Sequence, residues 1–143
     1  MRRYLILANR TLGGGRLADK VRELIQLGPC GFHVLVPATP PSNHPWTEGE
    51  TLAAARVRLR AALARLHDLG VEADGEIGDA RPIQAVADLI ERGERFDEIV
   101  VSTLPPGPSR WLRMDLPRRI EAQFGIPVIH VVGEPEPAHV RRP

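Results

Sequence analysis

The feature that most constrains this chain is the regular alternation of short β-rich runs with longer helical patterns along its 143 residues. YLILA (4–8) is followed by helical spacing from about Leu17 to Leu27 and then by FHVLV (32–36), which is a β-α-β order. After the proline-rich stretch PATPPSNHPW, the run Thr47-Glu48-Gly49-Glu50 is a capping-box pattern. It precedes Leu52, Ala55, Leu59, Leu63 and Leu66 at three- and four-residue spacing, which predicts a helix ending near Gly70. VEADGEI (71–77) reads as a weaker strand, with the polar residues that an edge position allows. Gly78-Asp79 opens a helix with Pro82 in its first turn and a stop at Gly93. EIVVST (98–103) is the continuous apolar run of a buried parallel strand. A helix from Leu116 to Phe124 and a last strand, IPVIHVV (126–132), complete the pattern. Such alternation predicts an α/β fold, a single-domain five-stranded parallel sheet with helices on both faces and right-handed crossovers. The domain is expected over 1–133, with a flexible tail over 134–143 whose composition is too poor in apolar residues to pack.

Composition narrows the function classes. Nineteen Lys and Arg against eighteen Asp and Glu leave a formal charge of +1, so no global field recruits nucleic acid or an anionic membrane. The single cysteine, Cys30, has no partner and no metal-ligand spacing around it, which fits a reducing compartment. The apolar run of MRRYLILANR is too short for a signal core, and a cytoplasmic location is expected. Ser42, Ser102 and Ser109 lack a G-x-S-x-G setting, and the five histidines show neither triad nor metal spacing. Enzyme chemistry therefore finds little support. A receiver domain would need an acidic cluster after the first strand, where Asn9-Arg10-Thr11 supplies none. His33 and His130 lie inside strand patterns and read as satisfied structural histidines.

In sheets of this kind ligands bind beyond the carboxyl ends of the strands, where the strand order reverses. Two strand ends carry loop chemistry: Asn9-Arg10-Thr11 with Gly13-Gly14-Gly15, and Ser102-Thr103 with the loop LPPGPSRWLRMD. The three glycines fit neither a P-loop nor a G-x-G-x-x-G fingerprint.

The order of elements, the Gly-Asp before the third helix and the loop after the fourth strand together resemble the universal stress protein family, over roughly residues 3–132. The resemblance implies the adenine nucleotide alpha hydrolase-like fold and a homodimer through the last strand (Ile126 to Val132); the departures at Pro105 and Asp115 point further to an unidentified protein partner. It also implies an adenine nucleotide site, for AMP or for ATP with magnesium, built in the family's ATP-binding branch around G-x-x-G-x9-G-[ST]. Ser102 stands on the first glycine of that motif and Pro105 on the second; nine residues follow, and Asp115-Leu116 stands on the final pair. The spacing survives and the residues do not. Asn9 stands where an Asp usually ends the first strand, and Thr11 where Ser is common.

The candidate nucleotide-binding set is therefore Asn9, Thr11, Pro37, Ser102, Thr103, Pro105, Gly107, Ser109, Arg110, Asp115 and Leu116. Proline removes a backbone donor. Asp115 places a carboxylate at a helix start, where the dipole and free N–H groups otherwise favour phosphate, and is expected to act as the helix N-cap. Arg110, Arg113, Arg118 and Arg119 oppose it as forks for phosphate or form a solvated basic face. Trp111 stacks on a base or packs; Trp46 and His44 form a lid or an ordinary loop. The expected function is a regulatory interaction module without usual ATP binding. The alternative is an AMP- or ATP-binding regulator with a modified phosphate loop.

Overall fold

A computed structural model describes residues 1–8, 15–38, 47–103 and 115–132, with the backbone alone at 15 and 103. Its elements run β1 (Arg2–Ala8), α1 (Gly15–Gln26), β2 (Cys30–Pro37), α2 (Glu48–Asp68), β3 (Glu72–Gly78), α3 (Pro82–Glu91), β4 (Glu98–Thr103), α4 (Leu116–Phe124) and β5 (Val128–Val132). The five strands form one sheet in the order β3-β2-β1-β4-β5, and every pairing is parallel. The expected α/β architecture is therefore present, with β3 and β5 at the two edges.

Alternation along the strands divides the core. Tyr4, Ile6, Phe32, Val34 and Val100 face one side, where Leu17, Val21 and Leu24 of α1 and Ala55, Ala62 and Leu66 of α2 cover them. Leu5, Leu7, Leu35, Ile99 and Val101 face the other, under Ala85, Val86 and Leu89 of α3 and Leu116 and Ile120 of α4. The central strands β1 and β4 are buried on both faces, which explains their unbroken apolar runs.

Local chemistry sets the helix boundaries. At α2 the Thr47 hydroxyl accepts from the Glu50 N–H at 3.0 Å, and the Glu50 carboxylate accepts from the Thr47 N–H at 2.9 Å. Two otherwise orphaned donors are satisfied reciprocally, as the sequence pattern predicts. At α3 the N-cap position is Arg81, followed by Pro82, and Asp79 accepts from the Arg81 N–H at 2.8 Å. Gly75 has a packing reason: a Cβ there would stand 2.6 Å from the Val34 carbonyl and 2.7 Å from Leu59 Cδ1. Only a bare backbone lets α2 lie this close on β3.

Candidate functional site

Strand order reverses between β2 and β4, on either side of β1, so the switch point lies at the carboxyl ends of β1 and β4. Ala8 and Ser102 are register partners there, and Thr103 pairs with Val132 one residue further on. Ser102 is buried. The next described residue after β4 is Asp115, the N-cap position of α4. The switch point and the start of α4 are thus the described parts of the candidate site. Pro37 is buried at the end of β2, opposite Gly78 of β3, and the Ala38 N–H donates to the Gly78 carbonyl at 3.0 Å. It lies on the β3 side, next to the strand that borders the switch point.

Asp115 corrects one expectation. It occupies the N-cap position of α4, but with φ 52° and ψ 45°, and its side chain makes no capping hydrogen bond. A side-chain cap normally goes with an extended backbone at that residue, which Asp115 does not have. The carboxylate lies 3.5 Å from Arg118 Nε instead. Asp115 is the one non-glycine residue with positive φ among the described residues. Glycine fits such a conformation without steric cost, so the position that the family motif fills with glycine has a backbone suited to glycine here too.

Leu116 contributes no polar side chain: it is fully buried in the α3/α4 cluster. Its role is to anchor the start of α4 to the sheet. Pro117 has no N–H, so the first turn of α4 offers the backbone donors of Leu116 and Arg118 beside an exposed carboxylate. Arg118 and Arg119 are exposed. The geometry has a free helix terminus that would attract an anion and a fixed negative charge that repels one. Asn9, Thr11, Pro105, Gly107, Ser109, Arg110, Arg113, His44, Trp46, Trp111 and the tail lie outside the described residues.

Away from the switch point, a polar cluster between β2 and β3 gives His33 the partners expected of a satisfied structural histidine, and those partners are acidic residues of β3 that lie outside the sequence expectations. His33, buried on β2, meets Asp74 and Glu76 of β3, and Glu76 takes both terminal nitrogens of Arg92 at 3.0 and 2.7 Å. Its signal in the sequence is the i, i+2, i+4 spacing of Glu72, Asp74 and Glu76, which puts all three carboxylates on one face of the strand. The Arg92 hydrogen bond, with help from His33, holds the Glu76 carboxyl below its ordinary range. His130, on the exposed side of β5, is instead pushed down by partial burial. Among the described residues, no three His, Cys, Asp or Glu side chains form a metal-binding group.

No protein-family model matches the chain, and no curated protein matches it by sequence. Solved structures do match. A universal stress protein family protein from Arabidopsis thaliana with AMP bound aligns with TM-score 0.68 and 11% identity, over 96% of this chain and 97% of that one. The universal stress protein from Archaeoglobus fulgidus aligns with TM-score 0.60 and 15% identity, over 92% and 95%. Its complex with dAMP gives TM-score 0.63 and 15% identity, over 92% and 97%.

Proposed function

From this shared universal stress protein fold, we propose that the chain is a regulatory module that does not hold ATP in the manner of the family's glycine-rich loop and that acts through protein contacts. The observation that carries this reading is Asp115, which presents an exposed, uncapped carboxylate at the start of α4 where a triphosphate would need donors and positive charge. Pro117 and Pro105 add missing backbone donors to that obstacle. Magnesium-triphosphate does not fit these residues, whose carboxylate stands where its phosphates would need donors. The module works as a homodimer through β5, an apolar strand at the sheet edge.

A second reading is favoured by the AMP and dAMP complexes among the fold neighbours. A nucleoside monophosphate places less negative charge near Asp115 than a triphosphate does, while the adenine end near Asn9 and Pro37 departs less from the family pattern. Mass spectrometry of the purified protein after denaturation separates the two readings. A clean protein supports the interaction module; stoichiometric AMP or adenosine supports the monophosphate reading; stoichiometric ATP contradicts both.

A further inference from the structure

We propose that His33, clamped between Asp74 and Glu76, is a pH-operated latch that holds the edge strand β3 on the sheet. Its Nδ1 lies 2.7 Å from Asp74 Oδ1 and its Nε2 3.0 Å from Glu76 Oε1. Ionised carboxylate oxygens only accept hydrogen bonds, so both ring nitrogens must donate for both contacts to be satisfied. Only the imidazolium has two N–H groups. In either neutral tautomer, one ring lone pair faces a carboxylate across a hydrogen-bond distance, and an attraction becomes a repulsion.

The surroundings make the imidazole the variable part. On β3, Asp74 is directly opposite His33 in register and Glu76 is opposite Leu35. From the end of α3, Arg92 grips Glu76 with two nitrogens and favours the ionised form of that carboxylate. From the connection to β4, the Phe96 ring stacks on the imidazole at 6.1 Å. Arg3 of β1 stands 4.7 Å from the centroid of Phe96 and pairs with Glu94 at 2.7 Å. The β1 residue in register with His33 is the apolar Leu5. The charged groups around the ring are thus Asp74, Glu76 and Arg92, with Arg3 and Glu94 beyond Phe96.

The strand held in this way has one neighbour in the sheet, β2, and so depends on side-chain ties more than an internal strand does. With the ring protonated, β3 is tied to β2 through two charge-assisted bonds and, through Glu76 and Arg92, to the end of α3. As pH rises and the ring loses a proton, one bond is lost and β3 loosens. The imidazolium satisfies both carboxylate contacts, and either neutral tautomer satisfies one.

The test combines ring ¹⁵N spectra of His33 with hydrogen-exchange protection factors across the sheet, measured against pH in the parent and in Asp74→Asn. The carboxamide introduced by that substitution can donate or accept, so a neutral ring is satisfied as well as a charged one. In the parent, β3 protection should fall several-fold as the ring passes from imidazolium to neutral, while β1 and β4 protection holds. In Asp74→Asn, β3 protection should be flat over the same range. Parent β3 protection that ignores the ring titration would overturn the proposal, as would an Asp74→Asn variant that keeps the parent's dependence.

Discussion

Holding a non-glycine residue in the left-handed region at Asp115 costs on the order of 1 kcal/mol, less for Asp than for most residues. Its carboxylate caps nothing, and its contact with the exposed Arg118 contributes little. Asp115→Gly should therefore keep the parent's unfolding free energy in urea to within about 0.5 kcal/mol, because strain relief offsets the greater freedom of the unfolded chain. Asp115→Val should lose more than about 1 kcal/mol, since a β-branched side chain fits φ 52° poorly. Equal losses in the two variants would remove the left-handed backbone from the explanation. Glu76 makes a second residue-scale prediction. Its folded-state pKa is depressed, chiefly by the Arg92 hydrogen bond, so its contribution is present above the ordinary carboxyl range and lost as pH falls through the folded value. Stability measured from about pH 5 to pH 3 should fall in the parent and fall less steeply in Glu76→Gln. Parallel profiles would show that the pair contributes nothing in acid. Neither arrangement is visible in the sequence. Capping preference names Asp115 but not its backbone angle, and the meeting of His33 with Asp74 depends on strand register, which residue types alone do not specify.

The elements themselves are far more legible. EIVVST and the helix from Leu116 to Phe124 coincide with β4 and α4, because their apolar runs and flanking prolines leave little freedom. The capping box at Thr47 is present atom for atom. The weaker strand is at an edge, as its polar residues imply, and β5 begins two residues later than its apolar run, after Pro127. What the pattern hides is how closely the layers meet. Gly75 reads as a weak point in a strand, yet it is where α2 rests against β3. Gly75→Ala should cost about 1–3 kcal/mol in urea unfolding, since the Val34 carbonyl it would strike belongs to an internal strand and cannot give way. A loss below about 0.5 kcal/mol would mean that α2 shifts freely. Leu116 misleads for a related reason: standing on a ligand position of the motif, it is a core residue, and Leu116→Ser would remove a fully buried side chain and leave a hydroxyl in its place.

Across the whole molecule, the sheet places its switch point between β1 and β4 and its two free edges at β3 and β5. Among the described residues, no helix is long and apolar enough to cross a membrane. The β3 edge carries Glu72, Asp74 and Glu76, charges of the kind that discourage strand addition, whereas β5 is Val-Ile-His-Val-Val. That asymmetry selects β5 as the edge that pairs in the proposed homodimer, and light scattering at micromolar concentration should return twice the chain mass. A monomeric mass would contradict that assembly without touching the account of the loop. Exclusion of ATP from the loop depends on the charge at the start of α4. Its most direct test is calorimetric titration of the parent and of Asp115→Gly with magnesium-ATP, leaving the buried Leu116 in place. The parent should show no saturable low-micromolar binding, and the variant should bind measurably more tightly, with full recovery prevented by the remaining prolines. Tight magnesium-dependent ATP binding by the parent, or a folded Asp115→Gly that binds no better, would contradict exclusion by the Asp115 carboxylate.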